Sequence, residues 1–262
     1  MNSQQGGKNG RSQSDGSSQG LIVGRNPVAE AIRSGKTIDS VYVSTKATGS
    51  VSVILKLCKE NGIIVKRVGD KKLDKMSVGI PHQGVVAVVG CAEYYSVAQI
   101  LEYAAQRDED PFIIICDEIE DPHNLGAIIR TAEAAGAHGV IIPKRRSASL
   151  SQTVFKTSAG AAAYVKVARV SNLASAIDEL KNAGVWIYGT DAGGEDYSAV
   201  ELSGAIGLII GSEGYGVGRL IKEKCDFLLR LPMFGKINSL NASVAAGIFM
   251  YEAVRQRTKN IR

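Results

Sequence analysis

The stretch GAIGLIIGSEGYGVGRL, residues 204–220, decides how the rest of this chain is interpreted. An apolar run ends at Ile210 and is followed by a loop that contains glycines at positions 211, 214, 216 and 218. A strand that enters a helix through a glycine-rich loop lets the backbone approach a nucleotide closely. The loop therefore predicts a site for a nucleotide-like ligand.

The spacing of these glycines disfavours the two commonest phosphate-binding loops. In the dinucleotide fingerprint G-x-G-x-x-G, the glycine that should follow Gly214 and Gly216 falls at position 219, which is Arg219. A P-loop requires G-K-[ST], which does not follow. Glu213 inside the loop would repel a phosphate. The loop therefore favours an uncharged or cationic nucleoside, and S-adenosylmethionine, with a sulfonium and no phosphate, fits that description.

The surrounding apolar runs predict an α/β fold with an open parallel sheet. Continuous apolar runs are typical of buried parallel strands, and here they predict strands at 112–117, 139–143, 185–191, 206–211 and 227–232. Helices are predicted for HNLGAIIRTAEAAGA and at about 150–160, 172–183, 215–224 and 241–257. Ligands of such sheets bind at the carboxyl ends of the strands. We therefore expect the loops after Asp191, Gly211 and Pro232 to meet at one edge.

The chain before this sheet predicts a separate, smaller domain. Strands at 21–23, 40–44, 63–68 and 84–90 alternate with a helix capped by Asn26 and a helix over 52–62. The predicted organisation is a disordered Gly/Ser/Gln-rich tail over 1–20, a small α/β domain over 21–92, a linker over 93–110 and the larger domain over 111–262. The linker comprises a helix and then a charged turn.

Composition restricts the classes of partner. The chain has 262 residues and a net charge of +5, with basic clusters at 66–72, 143–146 and 255–262, which favours a polyanion such as nucleic acid. There is no apolar stretch long enough for a membrane span. Cys58, Cys116 and Cys225 are expected to be buried free thiols in a reducing cytoplasm. The three histidines are too scattered for a metal cluster, so no metal is predicted.

Three stretches together resemble the SpoU, or TrmH-like, branch of the SPOUT methyltransferases. They are DPHNLGAIIRTAEAAGAHGVIIP (121–143), LIIGSEGYGVG (208–218) and LPMFGKINSLNASVAAGIFMYEAVRQR (231–257). The segment 21–90 resembles the small ribosomal-protein-like domain that precedes the methyltransferase domain in enzymes acting on ribosomal RNA. The resemblance implies a deep C-terminal trefoil knot, a homodimer with its active sites near the interface, and S-adenosylmethionine as cofactor. The implied reaction is 2′-O-methylation of a guanosine in 23S ribosomal RNA.

The resemblance also implies roles for particular residues, and each has a simpler alternative. Arg130 would be the catalytic arginine that clamps a phosphate beside the target ribose, or else a solvent-facing residue paired with Glu133. Asn124 would orient the ribose or cap its helix, and Glu213 would hold the loop or Arg130. Ser239 and Asn241 would bind substrate or methionine, or cap the last helix.

Two further sets of residues complete the predicted site. The cofactor would be held by Thr190, Gly211, Leu231, Met233, Ser239 and Leu240. RNA phosphates would be held by Arg25, Lys66, Arg67, Lys144, Arg145 and Arg146.

Three other functions stay open at this point. Transfer RNA could replace ribosomal RNA, since that choice depends on the resemblance of residues 21–90 alone. A non-catalytic RNA-binding factor for ribosome assembly could retain the same fold. A nicotinamide-dependent enzyme is disfavoured by the glycine spacing.

Overall fold

The structure is a computed structural model that describes residues 20–259. It divides into two compact units with a boundary after Val89. The predicted tail over 1–20 lies outside the described residues except for Gly20, and so do residues 260–262 at the end of the last basic cluster. No helix within the described range is long and apolar enough to cross a bilayer.

The first unit is a four-stranded mixed sheet with three helices. Its elements are β1 (Leu21–Val23), α1 (Arg25–Arg33), β2 (Ile38–Ser44), α2 (Val51–Glu60), β3 (Ile64–Val68), α3 (Asp70–Ser77) and β4 (Val85–Val89). The strand order is β1-β4-β2-β3, in which β4 runs antiparallel to both of its neighbours and β2 runs parallel to β3. Buried side chains of α1, α2, β2 and β4 form one core.

Two local predictions for this unit differ from the structure. The predicted cap at Asn26 is wrong, because α1 begins one residue earlier and has Gly24 at its N-cap position. The helix α3 was not predicted, because its sequence DKKLDKMS is mostly charged and buries only Leu73 and Ser77. One buried apolar side chain in two turns leaves no periodicity to detect.

The second unit contains a six-stranded, wholly parallel sheet. Its elements are α4 (Val97–Gln106), β5 (Phe112–Cys116), α5 (Pro122–Ala134), β6 (Gly139–Pro143), α6 (Gln152–Thr157), β7 (Lys166–Val170), α7 (Leu173–Asn182), β8 (Trp186–Asp196), β9 (Ile206–Ile210), α8 (Arg219–Lys222), β10 (Phe227–Arg230) and α9 (Ala242–Lys259). The strand order is β10-β8-β9-β5-β6-β7. The predicted α/β class, with a parallel sheet after a small α/β unit, is confirmed. The trefoil knot stays a prediction.

Both faces of this sheet are covered, which explains its continuous apolar strands. Along β5, Ile114 and Cys116 face a core shared with α5 and α9, whereas Ile113 and Ile115 face a core shared with α4 and α7. Successive side chains of a strand point to opposite faces, so a strand buried on both sides needs an apolar residue at every position. Because β5 and β9 are the two central strands of the sheet, the loops that follow them leave from the middle of its carboxyl edge.

The segment predicted as a linker over 93–110 is part of the second unit. Within α4, Ile100 and Ala104 are fully buried, and Ile100 packs against the strand residue Gly139. The strand β7 was not predicted, because Lys166 and Arg169 interrupt its KVARV sequence and leave no continuous apolar run. Its position at the edge of the sheet allows these charged residues.

The cysteines are free thiols, as expected, although they differ in burial. Cys58 and Cys116 are buried, Cys225 is half-buried and Cys91 is exposed. Burial raises the pKa of Cys58 and Cys225 to about 11 and that of Cys116 to about 12. These three thiols therefore stay protonated and unreactive near neutral pH.

One buried histidine makes the stability of the second unit depend on pH. His138 is 2% exposed, its Nδ1 accepts the backbone N–H of Phe112 at 2.9 Å, and its Nε2 lies 3.0 Å from a carboxylate oxygen of Glu109. An Nδ1 that accepts a hydrogen bond carries no proton, so the ring is neutral. Desolvation by burial lowers the pKa of His138 below its ordinary value near 6.5, and Glu109 opposes that shift.

We predict that acidification destabilises the protein through His138. The folded state takes up a proton less readily than the unfolded chain, so the free energy of unfolding falls as the pH drops through 6.5 toward the lower folded value. Urea unfolding at pH 7.5 and pH 5.5 measures that fall. His138→Gln should cost about 1–3 kcal/mol through the lost buried hydrogen bonds and should flatten the pH dependence. His123→Gln, at an exposed position, should retain the wild-type slope; equal slopes in all three proteins would contradict the assignment.

Candidate functional site

The glycine loop after β9 turns back on itself. Ser212 and Gly216 exchange two backbone hydrogen bonds, with N···O distances of 3.1 and 2.9 Å, and Gly216 has a φ of +64°. A Cβ atom at position 211 would overlap the backbone of Gly216 and Val217. Gly211 is therefore required by the return of the loop itself, whereas the sequence had suggested only close approach of a ligand.

The buried residue Asp117 anchors both ends of this loop, one through its backbone and the other through its carboxylate. The backbone N–H of Asp117 donates to the carbonyl of Ile210 at 2.8 Å, and the backbone N–H of Gly218 donates to Oδ2 of Asp117 at 2.8 Å. Burial raises the pKa of Asp117, and the hydrogen bond from Gly218 opposes the rise. Asp117 was not among the predicted site residues, although its position directly after an apolar strand was a usable signal.

Three polar side chains from distant parts of the chain meet at this edge. Nδ2 of Asn124 donates to Oε1 of Glu213 at 3.0 Å, and Nδ2 of Asn241 donates to Oδ1 of Asn124 at 2.9 Å and also to Oε1 of Glu213. The three residues come from the first turn of α5, the glycine loop and the residue before α9. We call this group the Asn–Glu–Asn cluster.

The hydrogen-bond inventory separates the roles within this cluster. Asn241 uses both of its amide hydrogens, and its Oδ1 accepts from the backbone N–H and hydroxyl of Ser243 at 2.9 and 2.6 Å, which caps α9. Asn124 retains one free amide hydrogen, and Glu213 retains Oε2, since neither has a partner among the described residues. Asn124 and Glu213 can therefore bind a further group, whereas Asn241 holds them in place.

The predicted capping role of Asn124 is not observed. The side chain of Asp121 caps α5 by accepting from the backbone N–H of His123 at 2.9 Å. Asn124 lies inside the first turn and is 9% exposed. It is therefore available to the Asn–Glu–Asn cluster.

A cleft of about 620 Å³ opens beside the glycine loop, at the carboxyl ends of β9 and β10 and beside residues 190–192 of β8. Asp191, Gly211 and Pro232 all line it, so the three loops expected at one edge do meet. All six residues predicted to hold the cofactor also line it: Thr190, Gly211, Leu231, Met233, Ser239 and Leu240. Its apolar wall is completed by Phe249 of α9.

An ion pair fixes one wall of the cleft. Lys222 of α8 pairs with Asp191, whose Oδ1 also accepts the backbone N–H of Gly193 at 2.9 Å. Lys222 and this N–H lower the pKa of Asp191. The sequence did not predict this ion pair, since no local pattern connects positions 191 and 222.

Arg130 lies on an exposed part of α5, apart from the interactions suggested for it. Neither Glu213 nor Glu133 pairs with its guanidinium, and it makes no hydrogen bond or ion pair with any residue of the described range 20–259. Ser239 is likewise exposed and has no side-chain hydrogen bond in that range. Both groups are therefore free to bind a ligand.

The six predicted RNA-binding residues differ in how many donors remain free. In the first unit, Arg25 donates to the carbonyls of Gln83 and Thr48 and to the hydroxyl of Ser50, so it braces two loops. Arg67 donates to the carbonyl of Ser44 at 3.2 Å.

Lys66 lies beside an aromatic ring in the same unit. Its ammonium is 5.3 Å from the centroid of the Tyr42 ring, and that of Lys72 is 5.2 Å from the same centroid. Two cations on one ring, each without an acidic partner in the described part of the unit, form a site of positive potential.

In the second unit, the predicted basic cluster follows β6. Arg146 pairs with Glu118 at 2.8 Å, and both residues are exposed or half-buried. Lys144 and Arg145 have no side-chain partner among the residues that the structure describes. Two of these three cations are therefore free.

The cleft fits S-adenosylmethionine by size and by chemistry. Its volume lies within the roughly 300–1,000 Å³ that is typical of small-molecule sites. Its apolar wall suits an adenine ring, and Glu213 rather than a cluster of cations lines the loop, which suits a sulfonium better than a phosphate. The hydroxyl of Ser212, which also lines the cleft, is buried with no hydrogen-bond partner in the described range. No group of three or more His, Cys, Asp or Glu side chains within residues 20–259 could hold a metal.

Sequence comparison assigns both units to one family. Residues 21–95 match the substrate-binding domain of RNA 2′-O ribose methyltransferases, and residues 111–251 match the SpoU rRNA methylase family. A Bacillus subtilis protein assigned to the TrmH family of tRNA/rRNA methyltransferases is 48% identical over 238 residues, which cover 90% of this chain and 95% of that protein.

Solved structures give the same result. An S-adenosylmethionine-bound rRNA methyltransferase from Sinorhizobium meliloti has a TM-score of 0.56 and 27% identity, covering 90% of this chain and 87% of that one. A TrmH/SpoU tRNA-modifying enzyme from A. aeolicus has a TM-score of 0.54 and 28% identity, covering 63% of this chain and 83% of that one. The chain therefore belongs to the SpoU (TrmH-like) family of S-adenosylmethionine-dependent RNA methyltransferases.

Proposed function

We propose that this methyltransferase modifies a ribose 2′-hydroxyl, and that its target is a guanosine in 23S ribosomal RNA. The observation that carries the proposal is the Asn–Glu–Asn cluster. It presents a free amide hydrogen of Asn124 and a free oxygen of Glu213 beside a cleft that fits the cofactor. A hydroxyl can both donate and accept, so it matches this pair of free groups.

The two-unit organisation supports ribosomal rather than transfer RNA. The rRNA methyltransferase from Sinorhizobium meliloti matches 90% of the chain and therefore both units. The tRNA-modifying enzyme from A. aeolicus matches only 63% of it, about the length of the second unit. A first unit that is required for a ribosomal substrate accounts for this difference.

When bound, S-adenosylmethionine supplies an electrophilic methyl carbon. In the proposed site Leu231, Met233 and Leu240 hold the adenine by apolar contact, and Thr190 and Ser239 hold polar groups of the cofactor. Gly211 keeps the floor of the cleft in place because it allows the loop to return.

The chain's own polar groups aim the ribose. The free amide hydrogen of Asn124 and Oε2 of Glu213 hold the hydroxyls of the target nucleotide. Holding the attacking oxygen in line with the methyl group supplies a large part of the rate. A guanidinium group keeps its proton in proteins and is therefore a poor base. In the proposed site Arg130 instead clamps a phosphate next to the ribose.

The basic residues hold the RNA backbone away from the reacting ribose. Lys66 with Lys72 in the first unit, and Lys144 with Arg145 in the second, have free cationic groups for phosphates. Arg25, Arg67 and Arg146 contribute less, since their guanidinium groups are already used within the chain. Such contacts position the substrate without reading its sequence.

An apolar stripe on α9 supports the proposed homodimer. Val244 and Tyr251 are 52% and 51% exposed, and Ile248 lies between them. These residues project from the side of α9 opposite to Ala246, Phe249 and Met250, which are buried in the core. A second copy would bury this stripe and bring a second set of site residues near the cleft.

Methyl transfer to defined RNA tests the proposal directly. Purified protein is incubated with methyl-labelled S-adenosylmethionine and with unmodified 23S ribosomal RNA or transfer RNA, and the RNA is digested to nucleosides. We expect the label in 2′-O-methylguanosine from 23S RNA. Label only in transfer RNA would contradict the substrate, and label in a base would contradict the 2′-hydroxyl. No label in free RNA or in precursor ribosomal particles, with cofactor still bound, would favour a binding factor.

We predict that Arg130→Ala reduces methyl transfer about 100-fold or more, the size usual for a positioned catalytic group. Cofactor affinity should stay within about two-fold, because Arg130 lies outside the cleft lining. Single-turnover rates and calorimetric titration with S-adenosylmethionine separate the two effects. Arg219→Ala is the control, since Arg219 is exposed and its partner in the described range is Glu223, the residue that follows its own helix. If the Arg130 variant turned over as fast as the wild type, the proposed role of Arg130 as a phosphate clamp would be wrong.

We predict that Asn241→Asp weakens methyl transfer about 10- to 100-fold at pH 8. Aspartate is as good an N-cap as asparagine, so α9 keeps its cap. However, the two donated hydrogen bonds are lost and a second carboxylate faces Glu213, which raises the pKa of one of the two. Activity relative to wild type should therefore recover in part as the pH is lowered to 6. Asn172→Asp, which caps α7 with no carboxylate beside it, should match wild type at both pH values.

We predict that Tyr251→Glu converts the protein from a dimer to a monomer at micromolar concentration. A carboxylate placed in a buried apolar interface has no partner and opposes association. Light scattering after size exclusion measures the change. Tyr164→Glu, at an equally large and more exposed tyrosine, should leave the dimer intact. A dimeric Tyr251 variant would place the interface elsewhere.

A further inference from the structure

A second cavity, of about 460 Å³, lies away from the cofactor cleft. Three of its lining residues, Trp186, Ile206 and Phe227, are the first residues of β8, β9 and β10. In a parallel sheet these residues mark the amino edge, whereas the cofactor cleft lies at the carboxyl edge. Glu195 of the cavity lies opposite Leu229 of the cleft lining, but the two cavities share no lining residue and are therefore separate.

The wall of this cavity is aromatic. The ring of Phe227 stacks on that of Tyr188 with centroids 5.1 Å apart and planes 16° from parallel, and it lies 5.9 Å from the ring of Trp186. Trp186 is 55% exposed and Phe227 is 38% exposed, while Tyr188 is buried behind them. Two large aromatic faces therefore remain accessible, although folding would favour their burial.

The cavity also carries negative charge that the fold does not use. Glu195 makes no hydrogen bond or ion pair with any residue of the described range. Glu201 accepts the hydroxyl of Ser203 on Oε1 at 2.7 Å, which leaves Oε2 free. Two cations nearby are already used within the chain. Lys181 pairs with Asp226 at 2.6 Å, and Arg257 donates to the carbonyls of Gly204, which lines the cavity, and Asp110 at 2.6 and 2.5 Å. The cavity is thus acidic within a chain of net charge +5.

Aromatic faces combined with free carboxylates bind cations that have a flat or apolar body. The ring quadrupole attracts the cation and the carboxylate neutralises it. An arginine guanidinium suits both features, since it stacks on aromatic rings and donates two parallel hydrogen bonds to one carboxylate. RNA is excluded from this cavity, because Glu195 and Glu201 would repel its phosphates.

We propose that the cavity formed by Trp186, Phe227, Glu195 and Glu201 binds an arginine side chain from a basic peptide segment of a partner protein. The guanidinium stacks on the exposed rings and pairs with Glu195, and Glu201 holds its second edge or the next cation of the segment. Because this cavity and the cofactor cleft lie at opposite edges of the sheet, the partner can stay bound while RNA is methylated.

The only tryptophan of the chain is Trp186, so its fluorescence reports directly on this cavity. The full-length protein is titrated with the peptide acetyl-Gly-Arg-Gly-Arg-Gly-amide at low ionic strength. We expect saturable quenching. The same peptide with citrulline at both arginine positions keeps the planar shape and a hydrogen-bonding edge but loses the charge. Its affinity should be at least about ten-fold lower. A lysine peptide should have an affinity between those of the other two, because lysine pairs with a carboxylate but stacks less well on an aromatic ring.

Variants locate the binding to the cavity. Glu195→Gln should lower the affinity for the arginine peptide about five-fold, which is the upper range for one exposed ion pair. Glu179→Gln removes an exposed glutamate on α7 that has no side-chain partner in the described range, and it should change nothing. Circular dichroism and S-adenosylmethionine binding confirm that each variant is folded.

Three results would overturn the proposal. They are an absence of saturable quenching, equal binding of the citrulline peptide, and equal weakening by the Glu179 and Glu195 variants, which would indicate non-specific attraction. None of these readouts uses methyl transfer, so a wrong assignment of the RNA substrate would leave them unchanged. Addition of S-adenosylmethionine should also leave the peptide affinity unchanged, since the two sites are separate.

Discussion

The carboxylate of Glu213 is the point on which the arrangement of the site depends. It accepts hydrogen bonds from Asn124 and Asn241, which are 117 positions apart in the chain. The glycine loop, the start of α5 and the start of α9 are thereby fixed relative to one another. An uncharged acceptor would hold the two amides less strongly, because hydrogen bonds to an ionised group are about twice as strong. The shape of the cofactor cleft follows, since two of these three segments line it.

The cluster also explains why Asp117 is needed on the other side of the loop. A loop held only at Glu213 could still move at its base, where Gly211 leaves β9. Asp117 prevents this by bonding Gly218, while its own backbone N–H continues the hydrogen bonding of β9 at Ile210. The negative charge therefore serves as a fixed acceptor on both sides of a loop that has few side chains of its own. Glycines allow the tight return, and the carboxylates of Glu213 within the loop and of Asp117 outside it supply the rigidity that glycines lack.

The features that the sequence predicted are those with a local or regular cause. Strands buried on both faces show as apolar runs, and parallel strands bring their carboxyl ends to one edge, so the meeting of the loops after Asp191, Gly211 and Pro232 could be predicted. The six cofactor residues were implied by the family resemblance. The features that it missed have long-range causes. Asn124 was expected to orient the ribose or to cap its helix, but its hydrogen bond to Glu213, 89 positions away, was not foreseen. Residues 93–110 have the charge of a linker, yet Ile100 finds its partner in Gly139 of a strand. Lys222 and Asp191 have no shared pattern at all.

The two edges of the large sheet differ in which side-chain groups have no partner within the described part of the chain. Such groups are candidates for ligand binding, whereas groups with internal partners stabilise the fold. A polar group that the fold needs is hydrogen-bonded within the chain, as Asn241, Asp117 and His138 are. At the carboxyl edge the free groups are one amide hydrogen of Asn124 and one oxygen of Glu213, which suit a ribose. At the amino edge they are Glu195 and the faces of Trp186 and Phe227, which contribute little to stability while they remain in water. Exposed aromatic surface beside an unpaired carboxylate does not stabilise the folded chain. We therefore propose that ligand binding is the physical reason for this combination.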